Sequence, residues 1–349
     1  MKIMLHNCYS DFYYGHPGWG ASGTLESMGC TAMVVFGNAT KNGEMIVAHS
    51  RDEPFGPHML NDIAYVAIPE DPNANMFFAV GVAGTITYTS VNDKGLWLTQ
   101  NAGGWLGHRD FGVPWEFINL YTIAYADNVD EAVDIYAHGS PEYRANTGRK
   151  TLLRTIPLLV TMADGKKAAV FEYMSDRYAV RYPGDAGEDD FLVIANHYVC
   201  DKGSFNEEDV WEPEEPMTKY GHEEDTASWA YPNSKYRYYT LWHLIKQNYG
   251  KIDAEMVKDF YKSHFYIDKD GTRVDYVWND DYDVWVPSYL LGYSPCRHGG
   301  IEYTDGSYKE TYMSGAADVK VAVLKDHPEI YFIFGRADEW KGSWSLVIL

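Results

Sequence analysis

Short apolar runs separated by turn residues fill the first hundred positions of the chain. "TAMVVFG" (31–37) and "GEMIVAH" (43–49) are rich in apolar and β-branched residues. They meet across "NATKNG", whose Asn42-Gly43 pair is a strong hairpin signal. "IAYVAIP" (63–69), "MFFAVGVAG" (76–84), "TITYTSV" (85–91) and "GLWLTQN" (95–101) continue the series, with "VNDKG" (91–95) as a further turn. The pattern predicts an antiparallel meander, not an alternation of strands and helices.

Helical periodicity takes over at 114–139. Phe117, Leu120, Tyr121 and Ala124 share one face there, and Val129, Ala132, Val133 and Tyr136 another. Asn128 reads as a cap between two helices and Gly139 as a stop. Strands are predicted again at 156–163, 167–174, 177–183 and 190–198. Residues 184–227 are strongly acidic and read as a solvated loop, with a lid over the site as the competing account. Helices are predicted over 234–250 and 253–265, the second capped by Asp253, and strands over 317–335 and 343–349. "DKDG" (268–271) lacks the ligand spacing of a calcium loop and reads as a turn. No repeat of 20–50 residues is visible. Strands, helices, strands, helices, strands is an α+β order: two stacked antiparallel sheets with helices outside.

Composition narrows the function classes. The chain has 349 residues, 46% of them hydrophobic, enough for a sizeable core. The balance of 50 Asp+Glu against 29 Lys+Arg, net −21, argues against nucleic acid or an anionic membrane surface as partner. No stretch approaches the roughly 20 apolar residues of a membrane span. The start has a lone Lys2 and no apolar core, so no signal peptide is expected and a reduced, cytoplasmic setting is the default. Cys8, Cys30, Cys200 and Cys296 are too scattered for a disulfide framework, and no C-x-x-C or paired-His spacing points to zinc. Neither a metal nor an organic cofactor is expected. The 29 Tyr, 11 Trp and 14 Phe either fill the core or line a pocket for an apolar or ring-bearing ligand. A small-molecule substrate is the expected partner; a homo-oligomer is compatible with the sequence and not specified by it.

One cysteine stands apart. In "LESMGCTAMVVFG" (25–37), Cys30 follows Gly29, precedes Thr31 and opens a strand. Taken alone it reads as a small core hydrophobe. Four further blocks follow in order: "VNDKGLWLTQNAGG" (91–104), "VFEYMSDRYAVRY" (170–182), "FLVIANHY" (191–198) and "SPCRHGG" (294–300). With "GCTAMVVFGNATKNGEMIVAHSRDE" (29–53), this series resembles the N-terminal-nucleophile (Ntn) hydrolases of the acyl-CoA:6-aminopenicillanic-acid acyltransferase type, the isopenicillin N acyltransferase-like family. The resemblance covers residues 29 to 300. It implies an αββα sandwich, a segment 1–29 acting as a propeptide, and one catalytic domain over 30–349.

The resemblance also implies roles. The Cys30 sulfur attacks the Gly29 carbonyl, an N→S acyl shift follows, and hydrolysis frees Cys30 as an N-terminal residue. Glycine tolerates the backbone strain of that attack. A free α-amine titrates near ~7.7–8, so one residue supplies nucleophile and base. Asn101 is the candidate oxyanion donor, or a residue that only turns the chain before "AGG". Asn196 would orient the amine or the substrate amide, or form a strand-end polar pair with its neighbour His197. Asp52, returned beside Cys30 by the first hairpin, would bond the ammonium or the substrate amine, or serve as a turn residue before Glu53-Pro54.

Relatives carry Arg-Asn-x-Asp at this point; this chain reads His49-Ser50-Arg51-Asp52, with Arg51 expected on the opposite strand face from Asp52. Arg297 matches a late arginine that would brace the site or hold a carboxylate. Thr31, His49, Arg51 and His197 complete the candidate set; Glu172 either neighbours the site or faces solvent. The expected activity is hydrolysis or acyl transfer at a linear amide through an acyl-thioester on Cys30. The alternatives are a phospholipase B-like or dipeptidase Ntn relative, a non-catalytic small-ligand binder, and papain-like Cys–His chemistry through Cys296 and His298.

Overall fold

The computed structural model describes residues 29–54, 62–82, 89–103, 112–154, 158–173, 177–200, 233–280, 283–304 and 307–349. Residues 1–28, most of the acidic stretch (201–232) and part of the strand expected at 85–91 lie outside the described residues.

Among the described residues the strands form two seven-stranded antiparallel sheets. The first contains β1 (Gly29–Gly37), β2 (Gly43–Pro54), β10 (Phe191–Ile194), β15 (His298–Thr304), β16 (Ser307–Leu324), β17 (Glu329–Phe334) and β18 (Ser345–Ile348). Its order is β10-β1-β2-β16-β17-β18, with β15 also paired to β16. The second runs in chain order from β3 to β9: β3 (Asp62–Ala67), β4 (Phe77–Val82), β5 (Thr89–Asn92), β6 (Trp97–Ala102), β7 (Leu158–Ala163), β8 (Ala168–Tyr173) and β9 (Tyr178–Arg181). Two small hairpins, β11 (Tyr266–Ile267) with β12 (Arg273–Val274) and β13 (Tyr276–Asn279) with β14 (Val284–Pro287), stand apart.

Side-chain alternation on these strands builds the layers. Ala32 and Val34 of β1 pack toward Phe78 and Val80 of the second sheet. Their neighbours Met33 and Val35 pack the other way, against Leu241 and Val257. Those two belong to α4 (Ser234–Gln247) and α5 (Ala254–Phe260). The second sheet does the same with Phe77 and Ala79, which meet Ile118 and Tyr136. These lie on α1 (Trp115–Tyr125) and α2 (Val129–His138); α3 (Pro141–Thr147) follows. A strand buried on both faces reads as a continuous apolar run, which is why "TAMVVF" shows no clean alternation. Fully burying each such Val or Met contributes about 1.5–3 kcal/mol. The result is helices, sheet, sheet, helices: the α+β sandwich expected.

Local chemistry sets the boundaries. Asn128 caps α2 by accepting from the Glu131 N–H, and Gly139 ends that helix at φ 75°. Asp253 caps α5 by accepting from the Met256 N–H. The "DKDG" segment is a turn, with the Gly271 N–H on the Asp268 carbonyl at 3.1 Å. The structure corrects the expected extents. β2 runs on to Pro54, because β16 pairs along it from Met45 to Pro54. β10 stops at Ile194, short of the predicted 198. α3, β11–β14, β15 and the first half of β16 were not expected from the sequence.

Candidate active site

Hairpin register places the first residues. Gly29 pairs with Asp52, Cys30 with Arg51, Thr31 with Ser50 and Ala32 with His49. Residues directly opposite share a face, so Cys30, Arg51 and His49 face the second sheet while Thr31 and Asp52 face the helices. A register shift between Ala316 and Asp318 of β16 then aligns Asp318 with Arg51 and Lys320 with His49 on the sheet-facing side.

The Cys30 peptide is the centre of the polar network. Its N–H donates to Asn196 Oδ1 at 3.1 Å. β10 has already ended there, so a side-chain amide continues the bonding where the ladder stops. Arg237, on α4, gathers the same peptide from the helix side. Its Nη1 donates to the Cys30 carbonyl at 2.6 Å and to Thr31 Oγ1 at 2.7 Å; its Nη2 donates to Asn196 Oδ1 at 2.6 Å and Asn233 Oδ1 at 3.0 Å. Asn233 is the α4 N-cap residue, and its side chain makes no capping bond because it serves the arginine instead. Asp52 is buried, with Arg237 Nη1 and Arg297 Nη1 each 4.0 Å from its Oδ2. These groups crowd Gly29: a Cβ there would lie 2.6 Å from Arg297 Nη1 and 3.1 Å from Arg237 Nη2 and Asp52 Oδ2.

Asn101 lies inside β6, opposite Leu159, so it is a strand residue and not a turn. Its Nδ2 donates to the Ala195 carbonyl at 2.9 Å, while Asn196 Nδ2 donates to the Ala102 carbonyl at 2.9 Å. An amide nitrogen carries two hydrogens, so each asparagine commits one of them to this clasp.

The electrostatics favour a protonated Cys30 thiol. Burial, and then the negative charge of Asp52, push Cys30 up to about 11; the Ala102 main-chain N–H and the positive charges of Arg237 and Lys320 pull the other way. His49 is buried with Nδ1 3.4 Å from Thr89 Oγ1. Burial, then Lys320 and Arg51, hold its imidazole well below its ordinary 6.5.

The remaining candidates fall elsewhere. Arg51 is engaged by Asp318 at 2.7 Å and Asp62 at 2.6 Å, on the face opposite Asp52. His197 turns to Ser234 Oγ at 2.7 Å, and the same hydroxyl receives the Asn196 N–H. Glu172 neither faces solvent nor reaches Cys30: it is buried, accepts from the Val199 and Cys200 N–H groups, and pairs with Arg181. Cys296 Sγ does lie 3.7 Å from His298 Nε2, but its thiol meets Asp338 Oδ1 at 3.0 Å, and burial with that carboxylate raises it well above its ordinary value.

Arg237 and Lys320 were missed by sequence reasoning, though both left a signal. Arg237 stands on the apolar stripe of α4 with Leu241, Leu244 and Ile245. Lys320 takes the inward phase of β16 that Ala322 and Leu324 share. A charge in a buried phase is informative because it is expensive to place there.

No family model matches the chain. A protein of Archaeoglobus fulgidus without an assigned function is 25% identical over 256 residues, covering 67% of this chain. The match spans only 37% of that relative's length. Among solved structures, a mutant conjugated bile acid hydrolase from Clostridium perfringens aligns with TM-score 0.47 at 11% identity, covering 92% of each chain. Penicillin V acylase from Agrobacterium tumefaciens aligns with TM-score 0.44 at 12% identity, covering 88% of this chain and 83% of its own.

Proposed function

We propose that the chain is a cysteine Ntn hydrolase that cuts its own Gly29–Cys30 bond and then hydrolyses, or transfers the acyl group of, linear amides. The observation that carries this reading is where the buried polarity converges. Asn196 and Arg237 bond the Cys30 main chain, and the paired Asp52 and Arg297 pack beside Gly29. A cysteine kept only for packing needs none of them, and burying a carboxylate with two guanidiniums is costly unless the site uses them.

In the first step the Cys30 sulfur attacks the Gly29 carbonyl carbon. The C–S bond forms, the C–N bond breaks, and the nitrogen takes the thiol proton. Water then cleaves the thioester, leaving a Gly29 carboxylate, a free thiol and a free α-amine. Arg297 and Arg237, packed against Gly29, suit the carboxylate that is released, and later a substrate carbonyl or carboxylate in the vacated space.

In turnover the α-amine occupies the position from which the Cys30 N–H now meets Asn196 Oδ1. It accepts the thiol proton as sulfur attacks the acyl carbon. The oxyanion is met by the Asn101 amide and the Ala102 N–H, which already lies against the sulfur. The amine then protonates the leaving nitrogen. Water or a second amine takes the acyl group from the thioester and regenerates the thiol.

The test is a substrate panel of N-acyl amino acids, short peptides and lipid acyl esters, with release of amine or alcohol as the readout. The reading expects amine release, an acyl adduct on the Cys30 peptide trapped by acid quench, and no release by Cys30→Ala. Amide turnover that survives Cys30→Ala, or turnover confined to esters, would contradict it.

A further inference from the structure

His264, Cys296, His298 and Asp338 come from three distant stretches of the chain and converge on one point. Their ligand atoms all lie within 4.8 Å of one another. His264 follows α5, Cys296 and His298 flank the start of β15, and Asp338 follows β17. We propose that these four side chains form a tetrahedral site for zinc or a closely similar divalent transition metal. The inference is independent of the chemistry assigned to Cys30.

The separations already approach those of an occupied site. Cys296 Sγ is 3.7 Å from His298 Nε2 and 3.0 Å from Asp338 Oδ1. His264 Nε2 and His298 Nε2 stand 3.1 Å and 3.3 Å from Asp338 Oδ2. Usual Zn–S and Zn–N/O bond lengths give tetrahedral edges of about 3.3–3.6 Å, so small shifts admit the ion. One thiolate, two imidazoles and one carboxylate suit zinc in ligand type. Four protein ligands close the coordination sphere, which makes the site a structural tie and not a hydrolytic centre.

Cys296 and His298 are buried, whereas His264 and Asp338 are partly exposed and give the ion a route in. Tyr289 stacks on His264 at 4.4 Å and meets His298 edge-on at 4.8 Å, fixing both rings. Asp338 accepts a hydrogen bond from the Cys296 thiol and lies beside both imidazoles at the centre of the group.

Loading requires two proton movements. The Cys296 thiol gives its proton to solvent as the thiolate binds. Arg336 Nη1 donates to His298 Nδ1 at 2.8 Å, so the ring hydrogen sits on Nε2, and it must move to Nδ1 before Nε2 can ligate. The guanidinium then leaves Nδ1 for Glu339, to which it already donates at 3.0 Å. The consequence reaches the candidate active site. Arg297 lies between two of the ligands, and its guanidinium packs against Gly29 and Asp52.

The test uses the full chain carrying Cys30→Ala, so that the thiol of the candidate active site does not contribute. After chelation and dialysis, the protein is titrated with zinc alone and, separately, with cobalt(II). The proposal expects one equivalent of tightly held zinc, proton release on binding, a rise in Tm, and a thiolate-to-cobalt charge-transfer band in the near ultraviolet. Adding Cys296→Ser should remove the band, and adding Asp338→Asn should weaken zinc binding at least tenfold, with circular dichroism unchanged. A folded chain that retains no zinc, or a cobalt band that survives Cys296→Ser, overturns it.

Discussion

Asn101, on β6, and Asn196, just past the end of β10, hold each other's backbone. The amide of Asn101 reaches the carbonyl of Ala195, and the amide of Asn196 reaches the carbonyl of Ala102, both at 2.9 Å. The two sheets are thereby locked at the point where Cys30 enters β1, and the Asn196 oxygen is left facing the Cys30 nitrogen. The two residues should therefore be coupled in stability and distinct in chemistry. A double-mutant cycle of Asn101→Ala and Asn196→Ala is expected to give a coupling of about 0.5–3 kcal/mol in denaturant unfolding. Asn101→Ala alone should also lower turnover by ~10²–10³ while the chain still folds. Additive unfolding effects with unchanged turnover would contradict both statements.

Arg237 is the hub on the helix side. It donates to Cys30, Thr31, Asn196 and Asn233, and its charge faces Asp52. Removing it strands a buried carboxylate and several acceptors, so Arg237→Ala should destabilise the fold by on the order of 3–5 kcal/mol. Lysine keeps the charge but not the planar fork. Arg237→Lys should fold, with a lowered Tm and slowed self-cleavage, read by thermal unfolding and a time course of intact mass.

Gly29 is fitted to its position by the side chains around it. A methyl group there would meet Arg297 at 2.6 Å and Arg237 and Asp52 at 3.1 Å. The ends of the arginines can give way, so Gly29→Ala should fold, but the peptide bond is shifted relative to the sulfur. Accumulation of the uncut precursor is expected by mass spectrometry; processing at the wild-type rate would contradict the account.

His49 supplies a pH dependence. Burial, then Lys320 and Arg51, depress its folded-state value below the ordinary 6.5, so the folded chain binds fewer protons than the unfolded one. The stability this provides is present above pH 6.5 and is lost as pH falls from there through the depressed value. His49→Gln should flatten the decline of Tm on the acid side, measured between about pH 8 and pH 5. An unchanged acid slope would show that His49 does not dominate it.

Much of this was legible in the chain, for identifiable reasons. The two apolar arms of the first hairpin read directly from the sequence, but its register does not: the connection is the loop 38–42 and not an Asn42-Gly43 turn, Gly37 lies opposite Gly43, and a shift between Val35 and Gly37 brings Gly29 opposite Asp52. The capping chemistry of Asn128 and Asp253 is local and reads directly from the sequence. What escaped is non-local. The pairing of β16 with β2 lengthens β2 and brings Lys320 opposite His49, which no hairpin count predicts. Arg237 reaches the site only because α4 packs beneath β1. His264, Cys296, His298 and Asp338 have no metal-site spacing in the sequence, since the fold and not the spacing brings them together.

The most direct measurement is the intact mass and N-terminal sequence of the purified protein, wild type beside Cys30→Ala. The account predicts a wild-type chain beginning at Cys30 and a variant that stays uncut across the Gly29–Cys30 bond. A wild-type chain uncut at that bond and fully active, or a Cys30→Ala variant processed at the same bond, would contradict it.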